Sequence, residues 1–438
     1  MATSFLRYEP MQDFLLSPSP SEWLPEDHLA YFVIEVIDRL DLQSFYARYE
    51  GDGRRNQPFD RAMLVKVLVY GYATGVFSSR KIARKLYEDV AFRMLGAGNF
   101  PSHRTICDFR LRHLPELKEL FVQVVRLAKE LGMVKLGMIG LDGTKIKANA
   151  SKHKAMSYGR MREEEVKLKQ EIEAERARAT DAQEDVRLGV DQTGQELPQE
   201  LRRREVRLAK IQAAKARLEQ RQAEADQERG RHPDDQQRRG GGAGRPFKQP
   251  FGEPEPKAQD NFTDPESRIM KMGTAFEQGY NAQAAVDADS QLIIANGLTP
   301  NAADNGELLP MIEAVENNLG QPQRVLADSG YRSEQAFVAL EQMGVEALVA
   351  LGREGKNRTA IDRERYPASA RMAERLASAE GQGHYRRRKV IPEPVFGWIK
   401  HIIGFRQFSF RGLTKVSGEW NLVCLAINVR RMRVLQGI

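Results

Sequence analysis

Between Ser21 and about Leu131, apolar residues recur at the three-to-four spacing of amphipathic helices, with polar residues just ahead of the runs. Asp60 precedes RAMLVKVLVYGYATG, Ser78 and Ser79 precede RKIARKLYEDV, and Ser102 precedes HRTICDFRLRHL, each where a helix-starting acceptor belongs. Gly75 and the GAGNFP stretch supply breaks. The pattern predicts an all-helical N-terminal domain over 1–131. In KLGMIGLDGTKIKANA (Lys135 to Ala150) the spacing becomes strand-like, which opens a second domain whose first part is 132–155.

From Met156 to about Gly230 the chain is rich in Glu, Lys, Arg, Ala and Gln and predicts two long charged helices separated by GVDQTGQELP. Leu201, Leu208, Ile211 and Leu218 suit either an antiparallel hairpin or a dimer-forming coiled coil; a solvated pair of helices with little role is the plainer reading. RRGGGAGRPFKQPFGEPEPKAQD then reads as a flexible Gly/Pro linker, so 156–260 is an insertion. Its glycines do not form a phosphate loop, since no Gly-Lys-Ser/Thr follows and no strand precedes.

Regular structure is expected to resume at Gly279: two strands turning at Asp287 to Ser290, a helix in NAADNGELLPMIEAVENNL, a strand in RVLA, a helix stopped by Gly344, and a strand in VEALVAL. Residues 261–438 thus complete the second domain and end in a helix. Strand, long insertion, two strands, helix, strand, helix, strand is the skeleton of a ribonuclease H-like α/β domain.

Composition adds little to this picture but removes alternatives. Lys and Arg number 67 against 60 Asp and Glu, a formal charge of +7, which permits a polyanionic partner without proving one. Cys107 and Cys424, far apart in sequence, exclude a disulfide framework or a Cys-rich zinc module. No signal core opens the chain and no apolar run approaches the roughly 20 residues of a spanning helix, so a soluble cytoplasmic protein with no membrane partner is expected.

Two acids stand where apolar strands end: Asp142 after GMIGL and Asp328 after RVLA. Carboxylates at adjacent strand ends can share hard cations, and two such ions suit in-line attack on a phosphodiester. Glu393, between Pro392 and Pro394 at a helix start, is the candidate third acid; Lys400, seven residues on, would share its face. Glu380 and Glu419 are the next substitutes. Taken singly, each acid passes for a turn or dipole residue, and Asp287, Asp289 and Asp304 are assigned to that class. In the N-terminal region, Arg80, Lys81, Arg84 and Lys85 on one helix and Arg104, Arg110 and Arg112 on the next suggest a helix-turn-helix contact with DNA, against the simpler reading of a solvated charged face.

These strings resemble bacterial insertion-sequence transposases of the DDE group, related to retroviral integrases. The likeness runs through LDGTKIKANAS, NFTDPESRIM, GYNAQAAVD, LADSGYRSE and YRRRKVIPEPVFGWIK, over almost the whole chain. The resemblance implies a ribonuclease H-like catalytic domain, an N-terminal DNA-binding domain, Mg2+ or Mn2+ as two ions on Asp142, Asp328 and Glu393, and cutting and joining at the ends of a mobile element. It also implies double-stranded DNA as partner, assembly as a homodimer or larger complex on it, and a nucleoid-associated protein. A Tyr, Arg, Glu, Lys signature maps onto Tyr385, Arg388, Glu393 and Lys400, with four residues between Arg388 and Glu393 where the commonest form has three. The best-known relatives carry a strand-rich insert between the second Asp and the Glu; here the bulk is helical and lies between Asp142 and Asp328, so dimerisation and DNA clamping are equally open roles for it. Two other readings stand beside this one: an endonuclease that cuts without joining, and an inactive relic acting as a DNA-binding regulator.

Overall fold

The computed structural model describes residues 19–47, 58–187, 197–234, 247–352 and 361–437. The N-terminal region is helical: α1 (Leu29–Asp38), α2 (Gln43–Ala47), α3 (Arg61–Ala73), α4 (Ser79–Glu88), α5 (Val90–Leu95), α6 (His103–Arg112) and α7 (Leu114–Glu130). Two expected starts are made by side-chain caps. Asp60 Oδ1 accepts from Met63 N at 2.8 Å and Ser102 Oγ from Thr105 N at 3.2 Å, each satisfying an orphan donor of the first turn. Ser78 precedes α4 without a side-chain bond.

Next come β1 (Met138–Lys147), β2 (Ala155–Ser157) and the helices α8 (Tyr158–Arg187) and α9 (Leu197–Glu228). Strands β3 (Gln259–Asn261), β4 (Arg268–Met272), β5 (Ala275–Asp287) and β6 (Ile293–Thr299) follow, then α10 (Leu308–Leu319), β7 (Arg324–Ala327), α11 (Glu334–Met343) and β8 (Glu346–Val349). The chain closes with α12 (Pro367–Ala377), α13 (Ala379–Arg386), α14 (Pro392–Gly397), a π-helical turn at Trp398–Ile402, and α15 (Leu413–Leu435).

One mixed sheet organises the molecule. Its path is β4-β5-β1-β7-β8, with β6 also on β5. β4 and β6 pair with successive stretches of the long β5, which is antiparallel to β1; β7 and β8 run parallel to β1. Regular structure therefore begins before Gly279, because the polar β3 and β4 are strands by pairing rather than by their own pattern. The turn at Asp287 to Ser290 forms as expected: Asp287 Oδ2 accepts from Asp289 N, Ser290 N and Ser290 Oγ.

A single apolar cluster runs from Leu29 in α1 through the sheet to Met432 in α15, so the core crosses residue 131 without a break. α15 is the reason. Apolar and small residues from Val416 to Met432 occupy every face, and a helix apolar all round must be enclosed, here by α1, α3, α7 and β6. Among the described residues no helix is long and apolar enough to cross a membrane.

The hairpin has its own small core of Tyr158, Met161, Leu168, Ile211, Ala214 and Leu218. Cross-links Arg207–Glu164 at 2.6 Å, Lys215–Glu165 at 3.0 Å and Arg176–Glu205 at 2.7 Å pair rising numbers in α8 with falling ones in α9, an antiparallel hairpin within the chain. Of the expected linker, 235–246 lies outside the described residues; the rest is packed. Arg231 lies over the Phe247 ring at 3.8 Å, and Gly252 N donates to Asp226 Oδ2 at 3.0 Å.

Candidate active site

The parallel register joins Gly140 of β1 to Leu326 of β7; two residues further, Asp142 comes level with Asp328. β7 ends at Ala327, and the two aspartates face the gap left beside β1. Each carboxylate is oriented by one backbone donor: Asp142 Oδ1 accepts from Gly143 N at 2.8 Å, and Asp328 Oδ1 from Gly330 N at 2.7 Å. Neither Oδ2 has a hydrogen-bond partner among the described residues. Burial first, then the charge of Asp328, pushes the Asp142 carboxyl up to about 6, against the pull of the Gly143 N–H and of Arg388.

A third carboxylate joins them, and it is not Glu393. Asp304, expected to be an ordinary turn or cap residue, caps nothing with its side chain. Its Oδ1 accepts from Asn281 Nδ2 at 2.7 Å and Gln283 Nε2 at 2.8 Å, two buried amides on one face of β5. Gly143 makes the approach possible, since a Cβ there would lie 2.5 Å from Asp304 Oδ1 and 2.4 Å from Gln283 Nε2. The field of Asp304 reaches Asp142, and that of Asp142, Asp304 and Asp328 together reaches the buried Tyr331 hydroxyl, whose titration is raised mainly by burial and then by these acids. Tyr331 donates to Gln283 Oε1. Glu307 is raised by its burial and by Asp304. The signal for this cluster was in GYNAQAAVD, where Asn281 and Gln283 are polar at period two in an otherwise apolar strand.

Glu393 opens α14 as expected, and α14 docks onto β1: a Cβ on Gly140 would lie 2.8 Å from Ile391 Cγ2 and 2.9 Å from Pro392 Cδ. Yet the Glu393 side chain is exposed and engages no hydrogen bond or ion pair among the described residues. Lys400 does approach the site. It is half-buried near Asp142 and Lys145, and burial, then Lys145, lowers its ammonium from the ordinary value. Lys400 lies in the π-helical turn, whose wider winding breaks the seven-residue repeat that was expected to align it with Glu393. Arg388, close enough for its charge to act on Asp142, lies 5.7 Å from the Tyr385 ring, so these two signature residues stand together. Glu380 is exposed and pairs with Arg324 and His384.

Two further expectations fail for packing reasons. Arg110 is not on the surface: 3 % exposed, it lies over the Phe410 ring at 4.2 Å and donates to Tyr72 Oη and to Phe77 O. Its charge is met by the fully buried Glu419 at 3.8 Å, which removes Glu419 as a substitute for Glu393. And α4 and α6 are not successive helices, because α5 stands between them. Arg80, Lys81, Arg104 and Arg112 remain exposed without ion pairs among the described residues, while Arg84 pairs with Glu88 and Lys85 with Asp89.

Among the described residues no group of three or more His, Cys, Asp or Glu is set as a complete metal cage. That suits magnesium, which keeps several waters and takes one or two carboxylates plus oxygens of its substrate. The unengaged Oδ2 atoms of Asp142 and Asp328 are such donors.

An α/β sheet carrying paired strand-end carboxylates, behind a helical N-terminal region, is the arrangement of a transposase, and the family comparisons agree. The model described as Transposase DDE domain matches residues 246–429, and Transposase domain (DUF772) matches 18–112. The chain belongs to the insertion-sequence transposases of the DDE type. The first match holds Asp304, Asp328, Glu393 and Lys400; Asp142 and the hairpin fall between the two. No curated protein and no solved structure matches the chain.

Proposed function

We propose that the chain cuts the ends of a mobile element and joins them into target DNA, with Asp142 and Asp328 as the metal-holding carboxylates. The observation that carries this reading is the pairing of two acids across neighbouring parallel strands, one of them destabilised as an anion and each with an oxygen free. In support, the strand order, three antiparallel then two parallel, corresponds to a ribonuclease H-like sheet. Bound Mg2+ or Mn2+, as two ions, supplies activation of the attacking oxygen and charge neutralisation at the leaving oxygen.

The remaining roles follow from position. Lys400 meets a phosphate beside Asp142; Arg388, held against Tyr385, lowers the cost of the Asp142 charge; Glu393, exposed at the start of α14, completes the acids when DNA and metal are present. Arg80, Lys81, Arg104 and Arg112 grip DNA phosphates from the N-terminal helices. We place the protein in the cytoplasm at the nucleoid, acting as a dimer or larger assembly on duplex DNA.

The test is an oligonucleotide assay with element-end DNA and Mg2+. Asp142→Ala and Asp328→Ala should each abolish cleavage and strand transfer while leaving DNA binding intact; unchanged cleavage rejects the site. Cleavage without joined products by the unaltered protein supports the endonuclease reading instead, and binding without cleavage the regulator.

A further inference from the structure

Where the hairpin leaves the sheet, a cleft of about 500 Å3 opens between α8, α9 and the β2–β3 pair. His153, Lys154, Arg160, Arg207 and Lys210 line it, together with the apolar Met156, Ile211 and Phe262, and no acid does. Elsewhere on the hairpin cations are matched with acids: Arg162 with Glu253, Lys169 and Lys215 with Glu165, Arg204 with Glu175. In the cleft, Arg207 pairs with Glu164, but Lys154, Arg160 and Lys210 make no ion pair among the described residues. Like charges left uncompensated around one concavity are costly unless an anion enters it.

The walls are fixed before anything binds. Lys154 O accepts from Phe262 N at 3.0 Å, and β2 pairs with β3 from Ala155↔Asn261 to Ser157↔Gln259. Asp260, buried in β3, takes Arg217 of α9 at 2.6 Å and also Arg221, while Tyr158 Oη donates to Glu219 at 2.7 Å. A preformed cationic cleft avoids the ordering cost of a loose patch.

Its position relative to the carboxylates is also set. From Asp142 the strand β1 runs five residues to Lys147, about 17 Å at the strand rise, the length of about five base pairs of duplex. Lys152, whose Nζ donates to Phe276 O at 3.4 Å, lies beyond that end of β1, and Lys154 follows it. Lys400 and Lys145 stand at the near end, so cations punctuate the way from the acids to the cleft.

The geometry points to this cleft as a binding site for the sugar-phosphate backbone of DNA, about five base pairs or more from the reacting phosphate, which makes the hairpin a DNA clamp. The inference rests on the reading of the chain as a transposase acting on DNA. The experiment uses the full chain, with fluorescence anisotropy on labelled duplex and on single-stranded DNA of the same sequence over a salt series. In Lys154→Ala/Arg160→Ala/Lys210→Ala, duplex affinity should fall about tenfold or more, and the salt slope should become shallower by about one unit for each phosphate that is no longer gripped. A loss confined to single-stranded DNA supports the cleft with an unpaired strand as its occupant. Lys154→Arg/Arg160→Lys/Lys210→Arg should keep the slope. An unchanged slope in the alanine variant, with its thermal unfolding also unchanged, overturns the proposal. Binding needs no cutting: a variant with unaltered slope that still cuts and joins sinks the clamp alone, whereas cleft-dependent binding by a protein that never joins strands sinks the transposition reading alone.

Discussion

Glu419 and Asp142 are carboxylates set in one continuous core, and they are treated in opposite ways. Glu419 accepts from Tyr72 Oη at 3.0 Å, Ser409 N at 2.7 Å and Phe410 N at 3.2 Å, and Arg110 answers its charge. Asp142 receives one backbone N–H and has two further acids for neighbours. A buried charge is tolerated when hydrogen bonds and a counter-ion surround it. The first site is complete within the protein and ties α3, α6 and α15 together. The second is deficient in positive charge, and what completes it must come from outside.

That contrast is broken most severely by removing the deficient pair. Asp142→Asn and Asp328→Asn should each lower cleavage of element-end DNA by about 10^3-fold or more, since a missing metal ligand forfeits several kcal/mol of barrier reduction. Both variants should still fold. If either cut DNA at the normal rate, the deficiency would have no catalytic meaning.

Glu419 should behave in reverse. Glu419→Ala leaves Arg110 buried and unanswered, at about 3–5 kcal/mol of stability, read by denaturant unfolding, while the protein that remains folded cuts DNA normally. Replacing both as Arg110→Met/Glu419→Leu should cost less than the single change, because the stranded charge is gone. A Glu419 variant of normal stability but without cleavage would erase the distinction between the two acids.

Much of this was legible in the sequence, and the failures share a cause. Asp142 and Asp328 could be found because each acid closes an apolar run, a local signal. Asp304 could not, since its amide partners reach it through the pairing of β5 with β1. Arg110 lay in plain view: four residues after Ile106, it falls on the buried stripe of α6 rather than its wet face. The position of Lys400 was legible only as far as α-helical winding holds, and the π turn ends that. The shared core of the N-terminal helices and the sheet was invisible because hydropathy does not say which apolar faces meet.

The pH dependence of stability sharpens the comparison at an intermediate scale. The Asp142 carboxyl, raised from 3.8 to about 6, binds its proton more tightly folded than unfolded. Its contribution is therefore fully present below pH 4 and is lost as pH rises through 6, by about 3 kcal/mol at about 1.4 kcal/mol per unit. Asp142→Asn should remove this slope and be the more stable protein above pH 6 without metal. Mg2+ should recover part of the loss in the unaltered chain and little in the variant. Equal pH slopes in the two proteins would show that Asp142 is not held at a cost.

The smallest effect concerns how the last acid is carried to the other two. Gly140 lies two residues before Asp142 on β1, and the start of α14 rests against it, with Ile391 and Pro392 in the space a side chain would need. In Gly140→Ala the new methyl overpacks that junction, at about 1–3 kcal/mol, and the relief open to the structure is to lift α14, which bears Glu393 and leads into the turn bearing Lys400. Cleavage should then fall by more than the reduced stability explains, while Mg2+ binding at Asp142 and Asp328, followed by its effect on unfolding, stays near normal. Gly143→Ala presses instead on Asp304 and Gln283 and should weaken metal binding directly. If the two glycine variants fell equally in metal affinity, α14 would be no more than a lid over the sheet, and Glu393 would have no claim to the site.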